Sequence, residues 1–373
     1  MSTIKVEVTR INDVRPHANA DALELATVGG WQMCVKKGVY QDGDPVVYFE
    51  QGTVLPREVA DRLAVTQYLK ERTDIDGNPV LVIHRVRLRG EPSFGLVVEP
   101  EPGMDVGQDV ADFYGATKFE PPVRIVAGDS IANDPRFPAY TEVENLRSYL
   151  DVIAEGEEVV VTEKVHGTNC RVGFVAKPLV REGQDLYGAI PAEEASKEEL
   201  EMVRMAGSRG LRRKEPVDSD AMRSNTYWYP WTIEGVETLL KELFLQGHDQ
   251  AVLYGEVYGA GIQSYNYGHP GIAFRAFDLM VDGTFVDYDE FAAKCAAHSI
   301  ETVPLLHRGP FSLTKVKELS DGDSLVGGKH GREGVVVKPA HERTDVKIGR
   351  VILKYVGDVY LFGKAAEQDT TDL

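Results

Sequence analysis

One lysine at the end of a short hydrophobic run constrains this chain more than any other feature of its sequence. Val159, Val160 and Val161 are typical of a buried strand, and Lys164 follows them just before a Gly-Thr-Asn turn. A lysine held at the mouth of a buried strand can be desolvated and kept partly neutral, which a nucleophilic amine requires. The sequence therefore predicts a reactive lysine at the end of a strand.

The composition of the chain is that of a globular protein with room for more than one core. Its 373 residues are 43% hydrophobic, and no apolar run is long enough to cross a membrane. The three cysteines are widely separated, which argues against a disulfide framework and favours a reducing compartment. With a net charge of −18, any nucleic-acid surface has to be a local basic patch. We expect a cytoplasmic monomer.

The spacing of apolar residues divides the chain into regions. Residues 1–115 are rich in short strands bounded by Gly, Pro and Asp turns, which a small OB-like β-barrel closes without open edges. Residues 116–140 contain four prolines and little periodicity, which predicts a linker. Residues 141–373 alternate strands with helices. Helical patterns across the chain cover residues 57–71, 197–205, 233–246, 288–298 and 313–319.

Further motifs follow the lysine, each in or beside a predicted strand. The planar guanidinium of Arg209 suits two phosphate oxygens, and a solvated basic loop is its alternative. Glu256 lies in an apolar run and needs a partner, which a ribose hydroxyl, a hydrated metal or a lysine would each provide. Phe277 offers a flat face for stacking a base, although plain core packing would also explain it. Glu333 and Lys338 flank three valines, and Lys354 ends the series.

In this order the motifs resemble those of the ATP-dependent RNA ligases. Residues 17–52 also resemble the amino-terminal OB module of Deinococcus-type RNA ligases. The resemblance implies an α+β fold, in which an OB-like barrel precedes a nucleotidyltransferase domain of antiparallel sheets with flanking helices. It also implies ATP as the donor of AMP and Mg²⁺ or Mn²⁺ as the metal.

The resemblance assigns a role to each candidate residue. It gives catalytic roles to Lys164 as the AMP nucleophile, His166, Arg209, Lys338 and Lys354. It gives nucleotide contacts to Glu163, Asn169, Glu256, Phe277 and Asp278. It gives metal binding to Glu256 and Glu333.

Two positions bear on which member of the superfamily this chain resembles. His166 stands where DNA ligases and capping enzymes generally have aspartate, whereas a subset of RNA ligases has histidine. Val356 stands where several RNA ligases have a second lysine in the last motif. The role of that second lysine is therefore left open, and Lys338 is a candidate to share its charge.

The function that the resemblance implies is sealing of 3′-OH and 5′-phosphate ends in RNA or RNA/DNA hybrids, at nicks with RNA on the 3′-OH side. A DNA ligase or an mRNA-capping-type guanylyltransferase is the nearest enzymatic alternative. A non-catalytic RNA-binding protein is the alternative from another class. The chain ends soon after Lys354, so we expect no carboxy-terminal OB domain of the kind that DNA ligases and capping enzymes carry.

An arginine stripe in the first region is the candidate surface for RNA. Arg85, Arg87 and Arg89 alternate with Val86 and Leu88. The period of two in a strand would place all three arginines on one face. Such a stripe could track phosphates, and a solvated strand face is the alternative.

Overall fold

A computed structural model of the chain describes residues 4–122, 129–178 and 200–361. These residues form two compact units, of which the first contains 4–122 and 144–152 and the second contains 129–143, 153–178 and 200–361. The sequence placed residues 141–373 in a single domain. In the structure Glu144–Val152 groups with the amino-terminal unit instead.

The residues up to 122 form short strands joined by tight turns. In chain order they are β1 (Val6–Arg10), β2 (Asp13–Pro16), β3 (Leu23–Val28), β4 (Trp31–Lys36), β5 (Pro45–Phe49), β6 (Thr53–Leu55), β7 (Leu69–Thr73), β8 (Pro79–Ile83), β9 (Val86–Leu88), β10 (Glu91–Ser93), β11 (Leu96–Val98) and β12 (Thr117–Lys118).

Longer strands appear in the rest of the chain. They are β13 (Ser130–Ile131), β14 (Glu144–Asn145), β15 (Glu158–Glu163), β16 (Thr168–Pro178), β17 (Leu200–Ser208), β18 (Arg212–Arg213), β19 (Gln250–Gly259), β20 (Ile272–Val281), β21 (Thr284–Phe285), β22 (Leu305–Pro310), β23 (Gly334–Pro339), β24 (Thr344–Asp345), β25 (Gly349–Arg350) and β26 (Leu353–Val356). The α-helices are α1 (Arg57–Arg62), α2 (Ala111–Tyr114), α3 (Ser219–Ser224), α4 (Glu234–Gln246), α5 (Tyr288–Ala297), α6 (Leu313–Ser320) and α7 (Asp358–Leu361).

The amino-terminal unit is built from small antiparallel sheets. Their strand orders are β1-β5-β11, β2-β3-β4 and β12-β6-β8-β7, with β9 and β10 as a separate hairpin. Alternation along the strands turns apolar side chains inward, and the main core contains Val47, Phe49, Leu55, Leu81 and Ile83. The unit therefore has its own hydrophobic core.

The segment Glu144–Val152 is fixed to this unit by backbone and side-chain contacts. The Gly30 amide donates to the Arg147 carbonyl at 3.1 Å, and Trp31 Nε1 donates to Ser148 Oγ at 3.0 Å. A Cβ on Gly30 would come within 2.9 Å of Arg147 Cα, so only glycine allows this approach. Ser148 Oγ also donates to the Glu50 carboxylate at 3.3 Å, and burial raises the pKa of Glu50 to about 7.

The second unit contains a seven-stranded antiparallel sheet in the order β13-β18-β17-β16-β19-β20-β21. Helices α4 and α5 cover one face of it, because their apolar sides carry Leu240 and Phe291 into a core with Phe174 and Leu253. The opposite face packs on a second antiparallel sheet, ordered β26-β23-β15-β22. Val252, Tyr254 and Met280 of the first sheet meet Ile352 and Val336 there.

Two helix predictions are wrong. Residues 57–71 form only the short helix α1, a 3₁₀ turn (Thr66–Tyr68) and the strand β7. The predicted helix 197–205 is a strand from Leu200 onward, and its first three residues lie outside the described residues. In both places strand pairing, with β8 and β16 respectively, overrides a sequence rich in helix-forming residues. The other three helical patterns are confirmed as α4, α5 and α6.

The prediction that one strand carries the three arginines is also wrong. Strand β8 ends at Ile83 and β9 starts at Val86, so Arg85 lies between strands and Arg87 lies in β9. Arg89 has a positive φ of 50° in the hairpin turn. Arg85 and Arg89 therefore lie outside the strand that carries Arg87, and the role of all three in RNA binding stays a prediction.

Candidate active site

Lys164 lies directly after β15, where the strand leaves the sheet. Its amide donates to the Gly334 carbonyl at 2.9 Å, and its amine forms an ion pair with Glu333 Oε1. The Glu333 side chain is fully buried, whereas 22% of the Lys164 side chain is exposed. The lysine is thus held at the edge of the core, with part of its side chain exposed.

Glu333 owes its position to close packing around Gly334. A Cβ on Gly334 would overlap the Tyr355 carbonyl oxygen and approach Val356 Cα to 2.7 Å. Only glycine lets β23 pass this close to β26. The Gly357 amide donates to the Glu333 carbonyl at 2.9 Å, so a backbone hydrogen bond also holds Glu333 in place.

His166 is buried two residues after the lysine. Its Nδ1 lies 3.5 Å from Glu333 Oε2, and its Nε2 lies 2.9 Å from Ser264 Oγ. The Tyr267 hydroxyl accepts a hydrogen bond from the His166 amide at 2.7 Å. The Tyr360 hydroxyl is 3.3 Å from Nδ1. The histidine therefore joins the lysine turn to the Glu333 carboxylate.

Glu163, predicted to contact nucleotide, has protein partners in this structure. Its carboxylate accepts hydrogen bonds from the Ser324 hydroxyl and from the Leu325 amide, the latter at 2.8 Å. Arg332 Nε lies 3.7 Å from the same carboxylate. These contacts hold the loop after α6 against the end of β15.

Asn169 and Glu256 are direct partners in the β16-β19 pairing. Alternation along β19 turns Glu256 to the same side as Tyr254, which faces the second sheet. A Cβ on Gly167 would lie 2.9 Å from Glu256 Cγ, so the lysine turn packs tightly on this glutamate. Asn169 Oδ1 is buried without a hydrogen-bond partner.

A β-bulge places Phe277 and Asp278 on one face of the seven-stranded sheet. Gly255 pairs with Ala276 and Tyr254 with Asp278, which leaves Phe277 as the extra residue. Without the bulge, consecutive residues would point to opposite faces. Here Phe277 packs with the cluster between the sheets, and Asp278 enters the same space.

Asp278 is the centre of a buried charge network between the two sheets. Its carboxylate accepts from Lys338 Nζ, from the Tyr140 hydroxyl and from Arg350 Nη2, the last at 2.9 Å. Arg350 also binds Glu342, with Nε 2.7 Å from its carboxylate. Burial alone would raise the pKa of Asp278, but Lys338 and Arg350 outweigh it and hold that pKa below its usual range.

The remaining predicted cations occupy different settings. Lys354 pairs with Val336 across β26 and β23, so alternation puts it on the face that carries Lys338. Arg209 follows β17 and is half exposed, with its guanidinium 2.7 Å from the Glu142 carboxylate. Lys354 therefore faces the other sheet, whereas Arg209 lies at the surface.

The structure brings most of the predicted residues together in two contact groups. One group joins Lys164, His166 and Glu333, and the other joins Asp278 and Lys338. Sequence reasoning missed Tyr140, Glu342 and Arg350, which complete the second group. Glu342 stands four residues after Lys338, but nothing local marks the tyrosine.

Comparisons with known proteins agree with this architecture. A family model described as RNA ligase matches residues 157–356, and an OB-fold domain model matches residues 5–100. No curated protein sequence matches the chain. Together, the fold and the matched regions define a two-module protein in which an OB-fold domain precedes a nucleotidyltransferase-like domain. Since the RNA ligase model spans more than half of the residues, the chain belongs to the RNA ligase family and is an enzyme of that class.

Solved structures of an RNA ligase from Naegleria gruberi have the same fold. The ligase with PPi is 23% identical, with a TM-score of 0.68 and with 95% of this chain and 97% of that chain covered. A mutant of it with AMP and Mn is 23% identical, with a TM-score of 0.70 and the same coverage. These likenesses confirm the predicted α+β fold with an amino-terminal OB module. Within the described part of the chain, no helix is long and apolar enough to span a membrane.

Proposed function

We propose that the protein is an ATP-dependent RNA ligase that works through a covalent lysyl-AMP intermediate on Lys164. The observation that supports this most directly is the contact between the Lys164 amine and the buried Glu333 carboxylate. It lies within the region matched by the RNA ligase family. A lysine fixed at the edge of a core, partly open to solvent, is placed to attack a bound nucleotide.

The proposed reaction has three displacements at phosphorus. The Lys164 nitrogen attacks the α-phosphorus of ATP, a nitrogen–phosphorus bond forms, and pyrophosphate leaves as the amine loses its proton. An oxygen of an RNA 5′-phosphate then attacks the same phosphorus and releases the lysine, which regains a proton. Finally a 3′-hydroxyl attacks the 5′-phosphate, its proton is lost, and AMP leaves.

Positioning and charge neutralisation are the tasks left to the other residues. We assign phosphate contacts to Lys354 and Arg209, since both are cationic and Lys354 faces the space between the sheets. Lys338 is part of that network, so we assign it to holding the site together as well as to neutralising charge. Phe277 would provide the adenine platform, because the bulge aims its ring into the space between the sheets.

The donor atoms fit a divalent ion that keeps much of its water. Among the described residues, no three His, Cys, Asp or Glu side chains are grouped to hold a metal by themselves. Mg²⁺ typically uses one or two carboxylates together with phosphates and waters. Glu256 and Glu333 would hold Mg²⁺ or Mn²⁺ in this way, and the unpartnered Asn169 Oδ1 could accept from a bound water. When bound, the ion would neutralise phosphate charge. The structure of a mutant Naegleria gruberi RNA ligase with ATP and Mn supports this choice.

We further propose that the substrate is a nick with RNA on the 3′-OH side. A panel of 3′-OH/5′-phosphate nicks, with RNA or DNA on each side, tests this with purified protein, ATP and Mg²⁺ or Mn²⁺. We expect sealing only where the 3′-OH strand is RNA. Equal sealing of all-DNA nicks would favour a DNA ligase, and a protein adduct formed with GTP alone would favour a capping-type enzyme.

A further inference from the structure

A group of cationic side chains lies on one part of the amino-terminal unit. Strands β7 and β8 are antiparallel, with Lys70 opposite Val82 and Arg72 opposite Val80. Residues two apart in a strand share a face, so Lys70 and Arg72 point the same way. His84 and Arg85 follow the end of β8 directly. We call Lys70, Arg72, His84 and Arg85 the Lys70 cluster.

The cluster lies on the side of the sheet that faces away from the core. Leu81 and Ile83 of β8 pack in the core, together with Leu69 of β7. Lys70 and Arg72 alternate with that inward set. Lys70 is exposed and Arg72 is partly buried. This side is partly covered, because Val82 opposite Lys70 is fully buried, so Lys70 carries the exposed charge of the pair.

The three charged groups lie within electrostatic range of His84, whose lowered pKa favours the neutral imidazole. Burial lowers the pKa of His84 first, and Lys70, Arg72 and Arg85 lower it further. Burial and then Arg85 lower the pKa of Arg72. Like charges at this distance repel one another, and a bound anion would relieve that repulsion.

Arg72 also retains unused hydrogen-bonding capacity. Its Nε is buried without a hydrogen-bond partner, and its guanidinium carbon lies 5.9 Å from the centre of the Phe119 ring. A guanidinium is suited to phosphate because its donors form a planar fork. Arg72 therefore adds a planar charged group with an unsatisfied donor to the cluster.

We propose that the Lys70 cluster binds the phosphodiester backbone of the RNA substrate. The inference rests on the proposed function, since it needs an RNA to be held while its end reacts. Neutralising several phosphates with one local surface explains how a chain with a net charge of −18 can hold RNA. The cluster shares only Arg85 with the arginine stripe that the sequence suggested. It adds Lys70, Arg72 and His84.

A pair of double variants separates the cluster from the general charge of the unit. Lys70→Gln with Arg72→Gln removes two charges from the cluster, and Lys36→Gln with Lys37→Gln removes two from exposed positions of the same unit. Affinity for a nicked RNA duplex is measured over a range of KCl concentrations. We expect the cluster variant to bind several-fold more weakly, with a salt slope smaller by about 1 for each cation removed. The control should stay within about twofold of wild type.

Formation of the lysyl-AMP adduct from ATP should be the same in all of these proteins. The single variant Lys70→Gln changes only an exposed side chain, so it reports on the cluster even if the double variant is unstable. Unchanged affinity and slope in the Lys70 variant would overturn the proposal, as would an equal loss in the Lys36/Lys37 control. A parallel loss of adduct would show that the cluster meets ATP phosphates instead. If wild type forms no adduct yet binds RNA through the cluster, the proposed function fails and this inference stands.

Discussion

Tyr140 and Asp278 share a buried hydrogen bond, although 138 residues separate them in the chain. The tyrosine ring also lies 4.9 Å from the ring of Phe277. Arg350 Nη1 donates to the same hydroxyl at 3.2 Å. Tyr140, which precedes the proposed nucleophile in the chain, thus supports both the buried charge network and the proposed adenine platform.

Removing the Tyr140 hydroxyl should weaken the fold more than substrate binding. Tyr140→Phe deletes a hydrogen bond to a buried carboxylate, and such bonds contribute about 1.5–3 kcal/mol. We expect the free energy of unfolding to fall by about that amount. The ring contact with Phe277 is kept, so the KM for ATP should change less than twofold. Urea unfolding and adenylylation kinetics measure the two effects.

Tyr114→Phe is the matched control, because the Tyr114 hydroxyl is buried without a hydrogen-bond partner. It should not reduce stability. Tyr140→Leu removes the ring and should raise the KM for ATP several-fold. An unchanged KM in that variant would show that Tyr140 does not position the platform.

Stability in acid should depend on Asp278. The folded-state pKa of this carboxyl lies below its usual value of about 3.9. Its contribution is therefore complete above about pH 4 and is lost as pH falls through the lower folded pKa. Asp278→Asn should destabilise the protein by about 3–5 kcal/mol at neutral pH, because Lys338 and Arg350 lose their buried partner. The difference from wild type should shrink below pH 4. Asp76→Asn, in an exposed turn, should show neither effect.

The position of Glu333 should depend on Gly334 having no side chain. Gly334→Ala would force β23 away from the Tyr355 carbonyl oxygen and move the carboxylate that meets Lys164. A displacement of about 1 Å at a reacting group can cost on the order of a hundredfold in rate. We expect a loss of that order in the rate of adduct formation. Gly271→Ala is the control, since a Cβ there meets nothing within 4 Å. Equal rates in the two variants would contradict the packing argument.

The amino-terminal unit should lose stability as the pH rises through neutrality. Burial raises the folded-state pKa of Glu50 to about 7, above an unfolded value of about 4.3. The stabilising effect of the bound proton is complete at low pH and is lost as pH rises through 7. Glu50→Gln should therefore stabilise this unit at pH 8, by on the order of 3 kcal/mol at about 1.4 kcal/mol per pKa unit. The gain should be small at pH 4, and the exposed Glu101→Gln should give none. A pH-independent gain would point to packing instead.

The sequence was informative where chemistry and strand pattern coincide. Three valines before Lys164, and three between Glu333 and Lys338, predicted strands that end at charged residues, and the structure pairs those strands. The order of the motifs then indicated the family. Such patterns are local, so they can be recognised without knowing which strands pair.

Features that depend on long-range pairing could not be predicted. The bulge at Phe277 exists only because β20 is paired with β19, and its sequence carries no sign of an extra residue. Strand β17 resembles a helix until β16 is beside it. Tyr140 and Arg350 join the network through contacts that span much of the chain. The gap between β8 and β9 likewise leaves Arg85 outside the strand, although the alternation of arginines is continuous in the sequence.

The covalent adduct at Lys164 tests the central claim most directly. Purified protein is incubated with ATP labelled in the α-phosphate and with Mg²⁺ or Mn²⁺, and the modified residue is located by mass spectrometry. We expect one AMP on Lys164, released when a 5′-phosphorylated RNA nick is added, and no adduct in a folded Lys164→Ala variant. An adduct on another residue, or one that persists in Lys164→Ala, would contradict the account.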